Sequence, residues 1–153
     1  MTVTIEYPPA PPAPAKTAAP PVPGRSFRRL DARAAAAAQA QGALVIDIRP
    51  ATARRAQGEI PGALVVAGPL REWRIAPDTP ERIADAGDQL VVIVVGDTTH
   101  SSILAASALH GLGVAGATDV IGGFPAWRGY GLPVSDGFTL AGRYVDDLPV
   151  RTR

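Results

Sequence analysis

The sequence predicts an α/β domain built on a parallel sheet covered on both faces, and three observations carry that expectation. The run Val91–Val95 is short, unbroken and entirely β-branched valine and isoleucine, the pattern of a strand buried on both sides. Small polar residues follow at Gly96–Ser102, then an alanine-rich apolar helix to about His110 that Gly111 and Gly113 can end. Strand-like and helix-like segments alternate along the rest of the chain, which is the order of an α/β fold.

Composition sets the bounds. A chain of 153 residues suits one domain with tails. Hydrophobic residues make up 46% and charged residues 19%, enough apolar material for a core. A net charge of +1 argues against bulk electrostatic binding of nucleic acid. Lys16 is the single lysine among 15 basic residues, and in so alanine-rich a chain the arginine excess reads as compositional bias. The absence of cysteine excludes disulfides, thiolate metal sites and thiol chemistry. No stretch is long enough to span a membrane, and no basic segment followed by an apolar one marks a signal peptide. The cytoplasm is therefore the expected location.

Taken in order, residues 1–24 form a leader in which half of the 16 prolines fall between Pro8 and Pro23, mixed with alanine. Proline removes backbone donors and favours extended polyproline II, so a disordered spacer is expected, with a proline-recognising partner as the less ordinary use. The folded domain is expected over residues 25–134, and Arg25, Arg28, Arg29 and Arg33 at its edge read as a solvated face. Asp31 is a natural N-cap for a helix Ala32–Gln41 that Gly42 stops. Ala43–Ile48 reads as a buried strand closed by Asp47 and Arg49, at the sheet end where open α/β folds place their sites. Pro50 suits the first position of a helix to Gln57, with Gly58 just beyond it. Leu64–Val66 follows as a short strand, Leu70–Ile75 as a helical turn carrying Trp73, and Thr79-Pro80 as the start of a helix ending near Gly87. After the central unit, Thr118–Ile121 reads as the last parallel strand and Phe124–Tyr130 as a short helix with Trp127 in the core, stopped by Gly131 and Pro133. Residues 135–153 hold Phe138, Leu140, Tyr144 and Val145, apolar enough to dock on the domain, but nothing in the sequence places them.

Four short motifs stand in register: Asp47-Ile48-Arg49, Gly58-Glu59-Ile60-Pro61-Gly62-Ala63, the strand and loop Val91–Ser102, and Gly122-Gly123-Phe124-Pro125-Ala126-Trp127. In these motifs, over about Arg28 to Val134, the chain resembles the rhodanese-like family of single-domain sulfurtransferases. The resemblance implies a three-layer fold, a central, mostly parallel five-stranded sheet with helices on both faces. It also implies a reaction in which a cysteine thiolate attacks a sulfane sulfur, becomes a persulfide and passes the sulfur to an acceptor. The loop amides and helix N-terminus would stabilise the thiolate and the anionic intermediates.

This chain departs from that pattern where the chemistry should be. Counted back from Ser102 and Gly113, the cysteine position falls on Gly96; counted from the strand end, it falls on Val95. Neither side chain can carry sulfur. Ser101 or His100 stands where catalytic members often have an arginine, and Asp97 brings negative charge to a pocket tuned for anions. Glu59 replaces the usual histidine of the Pro-Gly turn, a structural element to which no chemistry is assigned.

The expected function is therefore a catalytically inactive rhodanese-like module that binds a protein partner or a small anion through Gly96, Asp97, Thr98, Thr99, His100, Ser101 and Ser102. Asp47 and Arg49 support it, and no cofactor or metal is called for. Two alternatives remain. One is a transferase or hydrolase using Asp97, His100 and Ser101, which supply the residue types of an activated hydroxyl but lie adjacent at a helix start, where side chains diverge. The other is an accessory subunit of a sulfur relay whose cysteine sits on another chain. Against enzymatic use stands a plain reading in which Asp97 or Thr99 caps the helix, His100 lies at the surface, and His110 meets the favourable end of the helix dipole. If the loop keeps its curve, its amides converge on one point, and Asp97 is expected to fold inward and occupy that cradle itself.

Overall fold

In a computed structural model, the described residues are 27–66, 74–77, 82, 90–135 and 143–144, excepting the side chains of Thr99, Arg143 and Tyr144. The leader, Trp73 and the helix expected from Thr79 lie outside them.

The elements are α1 (Ala32–Ala40), β1 (Leu44–Asp47), α2 (Ala51–Gln57), β2 (Leu64–Val65), β3 (Val92–Val95), α3 (Thr99–Gly111), β4 (Ala117–Asp119), α4 (Gly123–Gly129) and β5 (Arg143–Tyr144). They form one parallel sheet in the order β4-β3-β1-β2-β5. Four strands belong to the domain body; the fifth is a two-residue edge contributed by the C-terminal extension, with Leu64 opposite Arg143 and Val65 opposite Tyr144. The β-branched run at the centre pairs along its full length with β1, Leu44 opposite Val92 through Asp47 opposite Val95.

Alternation along these strands feeds two cores. Leu44, Ile46, Val92 and Val94 pack with Ala106 and Leu109 of α3 on one face. Val45, Ile93 and Val95 pack with Ala32 and Ala35 of α1 and Phe124 and Trp127 of α4 on the other. This is the expected three-layer arrangement. The sheet's C-terminal edge, where β1 and β3 end, carries the candidate loop.

Local chemistry accounts for most boundaries. Asp31 caps α1, its Oδ1 accepting from Ala34 N at 2.7 Å. Pro50 is the N-cap of α2 rather than its first helical residue: its ψ of 156° is extended, and its carbonyl accepts from Arg54 N. Gly111 stays inside α3, and Gly113, at φ +92°, makes the turn away from it. The turn expected over Leu70–Ile75 does not reach its end as helix: Arg74 takes a left-handed φ of 56°, and buried Ile75 lies outside any helix or strand. Trp127 is buried as expected, its Nε1 donating to Pro133 O at 2.9 Å. No helix among the described residues is long and apolar enough to cross a membrane.

Candidate functional site

The loop leaves β3 at Gly96 and enters α3 at Thr99. Val95, the other position that counting allowed for the family's cysteine, is the last residue of β3 and is buried in the α1/α4 core. Gly96 is the first residue past the strand and sits against the start of α4: Phe124 N donates to Gly96 O at 2.9 Å. That approach needs glycine on the other side. Gly123 has φ +61°, and a Cβ there would lie 2.5 Å from Gly96 O. Gly96 itself is hemmed in, since a Cβ at this position would lie 2.7 Å from Ser101 Oγ and 3.3 Å from Thr98 O. The Ser101 hydroxyl thus fills the space into which a side chain at Gly96 would project.

The loop's polar side chains are arranged otherwise than the enzymatic alternative requires. Ser101 Oγ donates to Thr98 O at 3.2 Å and lies 3.5 Å from Thr98 Oγ1. His100 is exposed and, among the described residues, makes no hydrogen bond to a loop hydroxyl. Asp97, His100 and Ser101 are therefore not assembled as nucleophile, base and orienter, because successive positions at a helix start point their side chains in different directions. The plain reading holds for His100, which lies at the surface, but not for the cap. Thr98 is the N-cap of α3, with extended dihedrals and no capping bond from its own side chain. Asp97 is exposed and takes no hydrogen bond from the loop amides among the described residues, so the carboxylate does not fill the cradle. The Thr99 side chain lies outside the description.

Beneath the loop, two buried ionic clusters fix the sheet edge. Asp47 Oδ1 accepts from Arg49 N at 3.0 Å, and Asp47 Oδ2 from Arg49 Nη2 at 2.7 Å. The Arg49 guanidinium also donates to Gly58 O and Gln57 Oε1 and stacks 3.5 Å from the Phe124 ring centroid. Its donors and its planar face are thereby engaged within the protein. Arg54 Nη1 donates to Glu59 Oε1 at 2.9 Å, and Arg54 Nε to Arg49 O. Among the described residues Glu59 Oε2 is buried with no hydrogen-bond partner.

Ser102, the innermost loop residue, is fully buried and donates to Asp119 Oδ2 at 2.7 Å. Asp119, at the end of β4, also receives Arg29 Nε on Oδ1 at 2.6 Å and Arg29 Nη2 on Oδ2 at 2.8 Å. Neither Asp119 nor Arg29 was singled out for this site from sequence; an acidic residue at a strand's C-terminal end was the available signal. His110, at the far end of α3, donates from Nε2 to Ala117 O and stacks on Phe27 with centroids 5.2 Å apart. Among the described residues no cluster of His, Asp or Glu could hold a metal ion.

Solved structures share this architecture. A Rhodopseudomonas palustris protein of unknown function, described as a possible tyrosine phosphatase, is 25% identical with a TM-score of 0.62, over 71% of this chain and 85% of its own. A thiosulfate sulfurtransferase from Pseudomonas aeruginosa is 26% identical with a TM-score of 0.55, over 77% of this chain but 21% of its own. The rhodanese-like domain of an Anabaena protein, at 21% identity and a TM-score of 0.54 over 84% and 94% of the two chains, shares the fold. No curated protein matches the chain. Residues 31–130 match the rhodanese-like domain, so the chain belongs to the rhodanese-like domain family.

Proposed function

We propose that this rhodanese-like domain is a binding module and not a sulfurtransferase, with a protein partner as its main ligand and a small anion as an accessory one at the loop. The observation that carries the reading is the floor of the loop. Gly96 has no side chain to hold sulfur, and Ser101 Oγ already occupies the space beyond it. No cysteine elsewhere in the chain can substitute. The outer face of α3 supports a protein partner, because it runs from the loop without a charged residue. Leu104 and Leu112, eight residues apart, are 48% and 44% exposed, with exposed Ala108 between them on the same stripe. Helices facing water ordinarily carry charge on that side.

Thiosulfate:cyanide sulfurtransfer by metal- and thiol-free protein is expected at the buffer rate, and clear turnover overturns the reading. Capture from native lysate on the full chain is expected to retain a partner that Leu104→Glu no longer holds. Retention by the Leu104→Glu variant moves the partner off α3. A retained partner with a reactive cysteine, active in sulfur transfer only in the complex, would favour the accessory role in a sulfur relay.

A further inference from the structure

The segment Phe27–Leu30 precedes the family match yet reaches both ends of α3, the C-terminal end by a ring stack and the N-terminal end through Asp119. Leu30 adds to the free edge of β4, its N donating to Asp119 O and its O accepting from Ile121 N. Thr118 Oγ1 donates to Arg28 O at 2.7 Å. Phe27 stacks on His110 at the C-terminal end of the helix. Arg29 holds both oxygens of Asp119, and the same carboxylate holds Ser102 in the helix's first turn.

We propose that Phe27–Leu30 is a strap whose docking sets the conformation of the Gly96–Ser102 loop, with Arg29 acting on the loop through Asp119 and Ser102. The argument is electrostatic. The Asp119 side chain is wholly buried, and Arg29, itself 18% exposed, is its cation among the described residues. A buried carboxylate stripped of its cation cannot stay as it was; it must draw in water, take up a proton or turn outward. Each of these disturbs the Ser102 hydroxyl that donates to it from the loop. Ser102 has a competing acceptor at hand, Thr98 O at 3.4 Å, so its first-turn geometry has a second arrangement to move to. Chain ends open most readily, and the strap leads straight out of the proline-rich leader. The loop therefore senses whether the N-terminal segment is docked. Arg29 is a positioning residue, and the inference stands whatever the loop binds.

Amide-resolved hydrogen exchange on the full chain tests it. Arg29→Gln is expected to speed exchange at the first hydrogen-bonded amides of α3, residues 102–105, at least tenfold more than at β1 and β3, whose amides report the global cost of the unpaired carboxylate. Arg29→Lys is expected to restore part of the protection, because it returns the charge without the two-pronged grip. In an Asp119→Asn background, where no buried anion needs a partner, Arg29→Gln is expected to change exchange at residues 102–105 by less than threefold. Thr118→Val loosens the strap at Arg28 without touching the loop, and it is expected to move the same amides in the same direction. This milder change keeps the test open if Arg29→Gln does not fold. Exchange at residues 102–105 that is unchanged in the variants, that rises no more than at β1 and β3, or that responds equally to Arg29→Gln with and without Asp119 overturns the proposal.

Discussion

At Gly123 the requirement for glycine is steric twice over: a left-handed φ, and a backbone oxygen where a Cβ would stand. Gly123→Ala is expected to cost about 3 kcal/mol, from strain and overpacking together. Gly42→Ala, at φ +105° but with open space around it, is expected to cost about 1 kcal/mol. Urea unfolding of the two variants separates the contributions, and equal losses would mean that the contact with Gly96 does not matter. Glu59 poses a different question. Its carboxylate is buried against Arg54, itself 3% exposed, with one oxygen unpartnered among the described residues. Removing it as Glu59→Ala leaves the guanidinium buried without that anion, and a loss of about 3–5 kcal/mol is expected in the same measurement. Asp97 is the opposite case. Because its side chain already faces solvent, Asp97→Asn is expected to change sulfate-induced amide shifts at residues 98–102 by no more than about threefold, the effect of one nearby screened charge. A variant that gains a site absent from the parent would show that the carboxylate does enter the cradle.

The elements were legible where local chemistry decides them. The Asp31 cap, the β-branched run at Val92–Val95 and the apolar α3 follow from patterns within a few residues. Pro50 shows where that reading stops. Proline suits both the cap and the first helical position, and the choice is made by a ψ that tertiary packing sets. The loop was misread for a related reason. Asp97 and Thr99 are both natural caps in composition, yet Thr98 takes the capping position with extended dihedrals and no side-chain bond. On α3 itself, Leu104→Glu is expected to leave the midpoint of thermal unfolding within about 2 °C, since exposed substitutions away from special features usually change stability by less than about 0.5 kcal/mol. A large drop would show that the apolar stripe is covered within the same chain, and would remove it as a docking face.

Across the whole molecule, what the sequence withheld was long-range. Arg29 meets Asp119 across 90 positions, and β5 comes from an extension that the family motifs do not reach. Both depend on which strand edges lie free once the sheet has formed, and no local pattern encodes that. The sheet in turn ties the two cores together. Alternate residues of β1 and β3 supply both faces, so neither hydrophobic cluster can come apart without the strands it shares with the other. The domain is therefore expected to unfold in one cooperative step. Trp127, buried on the α1/α4 face, gives a local reporter once Trp73→Phe removes the second tryptophan, and far-UV circular dichroism reports the helices of both faces. The two urea transitions are expected to coincide in midpoint and slope. Fluorescence that changes at lower urea than ellipticity would show that the α1/α4 layer opens by itself, and that the shared strands do not bind the two cores into one unit.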